Sequence, residues 1–273
     1  MNPANGLRVF ITGASSGIGA ALAGFYAAWG AVLGLAARRG EQLQELAADL
    51  LSRGASDVRN YPLDVADVDA LHVAAEDFMR QAGTPDIVIA NAGVSSGTLT
   101  EHHEDLAVIR RILEINVFGM AATFSPFIPA MQQRGSGRLV GIASVAGIRG
   151  LPGAEAYSAS KAAAIAYLES LRLEMRPSGV KVVTIAPGYI ETPMTAINPY
   201  PMPFMLPADE AARRFARAIE RGTSYTVIPW QMGVVAKGLR LLPNWLYDRL
   251  FTNAPRKPRK SPEASGSPDN PEN

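Results

Sequence analysis

Short apolar runs alternate along this chain with longer stretches whose apolar residues recur every three or four positions. The runs 7–12 (LRVFIT), 31–36, 57–61, 86–90 (DIVIA), 138–143, 180–186 (VKVVTIA) and 225–228 are short and bounded by polar or glycine-bearing segments, and they read as strands. Between them, 18–29, 41–53, 68–81, 105–133, 157–176 and 208–221 read as helices. In 41–53, for example, Leu43, Leu46, Ala47 and Leu50 make one apolar stripe. Strands that are apolar on both faces, each separated from the next by a helix, predict a parallel sheet covered on both sides. Right-handed crossovers then favour an α/β fold with a doubly wound sheet of about seven strands.

The pattern shows no repeat and no second domain. Residues 1–252 are expected to form one domain, in which 227–252 extend past the last strand as amphipathic helices over 231–242 and 245–251. From Asn253 onward the chain turns to proline, serine and charge, with almost no apolar side chain. The tail 253–273 is therefore expected to be disordered, because it cannot offset its ordering entropy. The uncharged run 20–37 approaches the length of a membrane span. Gly30 punctuates it, however, and a helix ending near Trp29 followed by a strand explains it better.

Composition narrows the function. Lys and Arg number 26 against 25 Asp and Glu, a balance that gives no support to nucleic-acid binding. With no cysteine in 273 residues, disulfides, thiolate catalysis and metal–thiolate sites are excluded, and no metal is expected. The first six residues, MNPANG, have no basic region followed by an apolar core. No secretory signal is expected, and a cytoplasmic location is.

The first strand runs into Thr12-Gly13-Ala14-Ser15-Ser16-Gly17-Ile18-Gly19, and a helix follows. Glycines there allow a tight turn and close approach of a pyrophosphate, which the N–H groups and dipole of the helix start attract. The same residues match G-x-S-x-G, the nucleophile elbow of serine hydrolases, through Gly13, Ser15 and Gly17. A hydrolase also needs a partner histidine. The three histidines are His72, in a helical pattern, and His102 and His103, in a polar stretch, so this alternative is the weaker one. The second strand ends in Ala36-Ala37-Arg38-Arg39, where a carboxylate would select NAD and an arginine a 2′-phosphate. Two guanidiniums there suit NADP(H); the bland alternative is a solvated pair opening a helix.

Tyr157 and Lys161 lie four apart in Tyr157-Ser158-Ala159-Ser160-Lys161 and share one helix face. A nearby ammonium is expected to lower the phenol's pKa and make Tyr157 a usable acid or base. Ser144 ends the preceding strand, where strand carboxyl ends line a crevice, and could bond the oxygen that Tyr157 protonates. Taken with Asp64-Val65, Asn91-Ala92-Gly93, Asn116 and Pro187-Gly188, this ordered set resembles the short-chain dehydrogenase/reductase family, in its single-domain branch, over about 7–228.

The resemblance implies a Rossmann-like fold and a hydride transfer between nicotinamide and a carbonyl or secondary alcohol. It implies that Gly13, Ser15, Ser16, Gly17, Ile18 and Gly19 line the cofactor turn. Arg38 would bind the 2′-phosphate, with Arg39 assisting. Asp64 would bond the adenine amino group with Val65 beside the ring, unless Asp64 is only a turn carboxylate. Asn91, Ala92 and Gly93 would pass near the cofactor; the family often has a second asparagine where this chain has Ala90. Asn116 would kink the long helix and hold a water in a relay to Lys161, which would also bond the nicotinamide ribose. Pro187, Gly188, Ile190 and Thr192 would hold the carboxamide. A homodimer or homotetramer is implied. A dinucleotide-binding protein without chemistry is the remaining alternative, disfavoured by intact Ser144, Tyr157 and Lys161.

The uncharged segment 193–207 (PMTAINPYPMPFMLP) reads as a lid, and its methionines and aromatics suit an apolar small-molecule substrate. In 227–260, Trp230 and Trp245 stand among basic residues. Peripheral contact with the inner face of a membrane is the lesser reading there, and cover for the pocket or a subunit surface the preferred one.

Overall fold

The computed structural model describes residues 6–259. Seven parallel strands form one sheet in the order β3-β2-β1-β4-β5-β6-β7. They are β1 (Arg8–Thr12), β2 (Val32–Ala37), β3 (Asp57–Pro62), β4 (Ile87–Ala90), β5 (Gly137–Ile142), β6 (Val180–Pro187) and β7 (Tyr225–Ile228). The order reverses between β1 and β4, so a crevice opens at the carboxyl ends of these two strands, as expected for a doubly wound sheet. Helices α1 (Gly17–Ala27), α2 (Gly40–Ser52) and α9 (Ala208–Arg221) cover one face. Across it, Ile11, Leu33, Leu35, Leu22, Leu43 and Phe215 pack in one fully buried cluster. Helices α3 (Val68–Ala82), α4 (Asp105–Leu113), α5 (Gly119–Phe124), α6 (Ile128–Arg134) and α7 (Glu155–Met175) lie on the other. There Phe10, Phe78, Phe124, Phe127 and Leu168 form the second cluster. The predicted elements are all present, with ends shifted by at most two residues, the usual uncertainty where helices fray.

β2 carries Gly34 where a side chain would be expected. A β-carbon built there would collide with Phe10 and lie 2.8 Å from a ring carbon of Phe78. These two rings meet edge to face at 5.5 Å, so the glycine lets them close over the sheet. Gly34→Ala is therefore expected to destabilise the fold by about 1–3 kcal/mol through overpacking. Thermal unfolding checks it, and an unchanged midpoint would refute this account of the packing.

The 105–133 stretch, read as one helix, is interrupted. Between α4 and α5 lies a π turn, Glu114–Phe118, centred on Asn116. This is the predicted kink in a specific form, an extra residue accommodated within the helix. The helical run 105–134 is long and apolar enough to cross a membrane by length and composition, but half of its most apolar window is buried. Met120, Phe124, Phe127 and Met131 belong to the second core cluster, as in the core helix of a globular protein. The run 20–37 likewise resolves into α1 and β2.

Beyond β7 the chain forms α10 (Trp230–Leu241) and α11 (Asn244–Phe251). The expected disorder from Asn253 is corrected for residues 253–259. Gly97 N–H donates to the Pro258 carbonyl at 3.1 Å, and Arg259 donates to both Asp105 carboxylate oxygens at 2.9 and 3.1 Å. Asp105 is buried, and a buried carboxylate needs such a partner. That pairing holds a segment whose composition alone argues for disorder. The rest of the predicted tail, 260–273, lies outside the described residues.

Candidate active site

The predicted site residues gather at the carboxyl ends of the strands. The turn from β1 to α1 has positive φ at Gly13 (65°) and Gly17 (56°), conformations that favour glycine. A β-carbon on Gly13 would lie 2.7 Å from Ala92 Cα, and one on Gly19 would strike the Gly13 carbonyl. Asn91 donates its amide to the Thr12 and Gly13 carbonyls at 3.1 and 3.0 Å, tying the end of β4 to this turn. Ser16 caps α1 without a side-chain bond, so its hydroxyl leaves the first-turn N–H groups of α1, including those near Ile18, to another acceptor. An anion is the natural one.

The arginines divide differently from expectation. Arg38 is exposed, whereas Arg39 folds inward and donates to Ser15 Oγ at 3.0 Å and Ser16 Oγ at 2.9 Å. Arg39 is thus the cation fixed over the glycine turn, and Arg38 stands beside it. Burial lowers the Arg39 pKa, with the Arg38 charge adding to the effect. Among the described residues neither arginine makes an ion pair, so two adjacent cations lack a counter-charge. Ser15 is held by Arg39 and not by a histidine; His102 pairs instead with Glu101 and Glu104. The hydrolase alternative therefore finds no geometry here.

Asp64 accepts the Ala66 N–H at 3.0 Å and ion-pairs with Arg111, which also bonds Glu114 at 3.0 Å. Its turn role is real, and each carboxylate oxygen still has accepting capacity. The Val65 side chain is spent in a small core cluster with Leu71, Ile115 and Ala122. That apolar chain packs against the start of α5, where Gly119 leaves room for it.

Asn116 is fully buried. Its carbonyl accepts Val94 N–H at 2.8 Å, and its amide donates to the Val94 carbonyl at 2.9 Å and to Ser160 Oγ at 3.0 Å. The side chain is therefore a clamp between the segment after β4 and α7, and its polar atoms are largely committed to that clamp. Gly93 completes the junction, since a β-carbon there would lie 3.2 Å from Asn116 Oδ1 and 3.5 Å from Lys161 Nζ.

Lys161 is buried and donates to the Ile142 carbonyl at 2.9 Å. Burial pushes its pKa down from 10.5 to about 8. A shift of this size means that holding the charge costs the fold on the order of 3 kcal/mol at neutral pH. The folded pKa is below the unfolded one, so this cost fades as pH rises from 8 toward 10.5. The ammonium stands 5.8 Å from the centre of the Tyr157 ring. Contrary to expectation, the Tyr157 pKa is raised. Desolvation pushes it up and outweighs a hydrogen bond with Ser144 that pulls it down. At 5.8 Å from the ring centre the lysine does not overcome that desolvation, and Tyr157 is a protonated acid at neutral pH. Ser144 is buried and caps the short turn Val145–Gly147, its oxygen accepting Ala146 N–H at 3.1 Å.

On the far wall, Gly188 lies against Met232 and Ile190 is buried. Thr192 caps the short helix α8 (Pro193–Ala196) and would be 3.1 Å from a β-carbon on Gly17, so this loop borders the glycine turn. Glu191 N–H bonds the Leu206 carbonyl, and Leu206 N–H the Tyr189 carbonyl, stitching the lid to the loop after β6. Tyr200 in the lid is close enough to Tyr157 and Tyr189 for their charges to raise its pKa further, after burial. Ser160, Arg111 and Tyr189 were not singled out in the sequence. Ser160 gave a usable signal, a serine inside a helix whose hydroxyl bonds back to the Tyr157 carbonyl at 2.7 Å.

Residues 8–199 match the family model described as short chain dehydrogenase. A relative described as an uncharacterized oxidoreductase of Myxococcus xanthus is 41% identical over 238 residues, covering 87% of this chain and 93% of the relative. Dehydrogenase/reductase SDR family member 7B of Bos taurus is 33% identical over 93% of this chain and 82% of its own length. Among solved structures, an alcohol dehydrogenase from Thermococcus sibiricus, complexed with 5-hydroxy-NADP, has a TM-score of 0.73 and 26% identity. That likeness covers 82% of this chain and 96% of the archaeal one. The chain belongs to the short-chain dehydrogenase/reductase family and is an oxidoreductase with a Rossmann-like sheet.

Proposed function

We propose that this oxidoreductase uses NADP(H) and reduces a carbonyl, or oxidises the matching secondary alcohol, on a predominantly apolar molecule. The observation that carries the reading is the convergence of Ser144, Tyr157 and Lys161 at the carboxyl ends of the central strands, beside a glycine turn overhung by Arg39. The turn residues fit a dinucleotide. Gly13, Gly17 and Gly19 keep the approach open, the start of α1 faces the pyrophosphate, and Arg39 with Arg38 takes the 2′-phosphate. Asp64 would take the adenine amino group, Lys161 the ribose, and the loop with Pro187, Gly188, Ile190 and Thr192 the carboxamide. The bound cofactor supplies the hydride. The archaeal neighbour carrying an NADP analogue supports the same choice.

In reduction, Tyr157 gives its proton to the substrate oxygen and Ser144 orients that oxygen. Lys161 balances the charge left on the phenol. Asn116 acts as a positioning residue, since it fixes Ser160 and Val94 around the lysine. The segment 193–207 leaves Met194, Phe204 and Met205 each at least one-third exposed, a composition that suits an apolar ligand. A panel of ketones and secondary alcohols, followed by nicotinamide absorbance with NADPH and NADH, tests the proposal. NADPH-dependent turnover of apolar ketones is expected, and activity restricted to NADH or absent across the panel would overturn it.

The pKa directions give a pH prediction. Tyr157 stays protonated through neutral pH, whereas Lys161 loses its charge near 8. Reduction is expected to hold steady up to about pH 7.5 and to fall as pH rises through 8. Oxidation needs the phenolate, and because burial raises the Tyr157 pKa its rise should come at more alkaline pH than this fall. A reductive rate that stays flat to pH 10 would refute the role given to Lys161.

Assembly is proposed to be at least dimeric. Leu106, Leu113, Phe118 and Leu173 expose large apolar side chains on α4, the π turn and α7. Light scattering at micromolar concentration is expected to give twice the chain mass or more; a fully active monomer would contradict it.

A further inference from the structure

We propose that the outer face of α10, with Trp245 of α11 beside it, docks on an anionic lipid surface. Helix α10 is apolar on two opposite sides. Met232 and Ala236 face inward and are buried, with Met232 against Gly188 of the active-site loop. Trp230, Val234 and Leu241 face outward at intervals of four and seven residues, exposed to 68%, 62% and 85%. Lys237 stands exposed between them on the same stripe. Helix α11, which follows directly, exposes a second tryptophan, Trp245, to 70%. An apolar stripe left exposed opposite the buried one calls for a partner.

The extension is clamped in place and does not dangle. Arg149, on the loop between β5 and α7, donates to the Leu242 carbonyl at 2.7 Å and also to the Leu239 carbonyl. Its guanidinium lies 3.8 Å from the Tyr247 ring centre, and Tyr247 donates to the Gly150 carbonyl at 2.6 Å. Gly150 lies between Ser144 and Tyr157 in the chain. The segment between Ser144 and Tyr157 therefore fixes the two helices, and the inner face of α10 is taken up by Met232 against Gly188. The outer face has a separate task.

Charge selects the occupant. Residues 230–251 carry Lys237, Arg240 and Arg249 against Asp248 alone. A second copy docking by this face would bring like charges together, whereas acidic headgroups complement them. Exposed tryptophan beside basic side chains is the composition of segments that lie in a membrane interface.

The full-length chain tests this by flotation with vesicles of phosphatidylcholine alone, or with roughly one-third phosphatidylglycerol. It should float with the acidic vesicles, largely fail to float with the neutral ones, and detach at about 0.5 M salt. Trp245→Glu combined with Leu241→Glu should reduce flotation at least about fivefold. Both side chains are exposed, so turnover of a water-soluble ketone and the unfolding midpoint should not change. In a Trp29→Phe background, emission from Trp230 and Trp245 should shift to the blue on acidic vesicles. No flotation with acidic vesicles, or equal flotation of the double variant, would overturn the proposal. A drop in solution mass caused by the double variant would overturn it too, because the face would then belong to a second copy.

Discussion

Replacing Tyr157 by phenylalanine is expected to lower kcat for carbonyl reduction by about a hundredfold to ten-thousandfold, the usual worth of a positioned general acid. Cofactor affinity should change little. The variant removes one oxygen and keeps the ring that stands 5.8 Å from the Lys161 ammonium. It also keeps Ser160, whose hydroxyl bonds the Tyr157 backbone and not its phenol. The geometry therefore isolates proton transfer from folding and from binding. Because desolvation raises the phenol pKa, the wild-type group is fully protonated at pH 7, and the loss should appear as a drop in kcat across neutral pH rather than as a displaced profile. Single-turnover rates with NADPH and a ketone, beside fluorescence titration of NADPH, separate the two quantities. A folded variant with near-normal turnover would remove Tyr157 from the mechanism.

Much of this site was legible because each part obeys a local rule. The glycine turn shows through spacing, since only glycine fits at Gly13 and Gly19 against Ala92 and the turn's own carbonyl. The Tyr157–Lys161 pair shows through helical periodicity. The strands show because a parallel sheet buried on both faces leaves unbroken apolar runs such as 87–90, all four of them buried. What was misread depends on where a side chain turns, which spacing does not encode. Arg38 and Arg39 are equivalent in the sequence, and only the path of the chain into α2 sends Arg39 to Ser15 and Ser16. Asn116 could be placed at a kink, but its clamp on Val94 joins residues 22 positions apart. The electrostatics of Tyr157 were misjudged for a related reason. Proximity of a lysine can be read from an i,i+4 pair, whereas desolvation of the phenol can be read only from the folded site. The docking of 253–259 rests on long-range contacts that composition cannot reveal, among them the Arg259 pair with buried Asp105 and the Gly97–Pro258 backbone bond.

Cofactor choice should be the other large effect, and it rests on Arg38 and Arg39 acting together. A charge-assisted bond to a phosphate contributes roughly 1.5–3 kcal/mol. Arg39→Ala alone is expected to weaken NADPH by about tenfold to a hundredfold. The double change to alanine removes two such bonds and should weaken it by about a hundredfold to ten-thousandfold. NADH lacks the 2′-phosphate and should bind nearly unchanged. Arg39 also holds Ser15 and Ser16, so a purely structural role would loosen the pyrophosphate turn and weaken both cofactors equally. The ratio of the two dissociation constants, not either alone, therefore carries the test. Arg38→Asp should move that ratio further, since a carboxylate repels the phosphate and can accept from the ribose hydroxyls. The measurement is fluorescence titration of NADPH and NADH against wild type and the three variants. If wild type binds the two cofactors equally, or if every variant weakens them in parallel, the arginines are a helix start and a turn tether, and the NADP assignment fails.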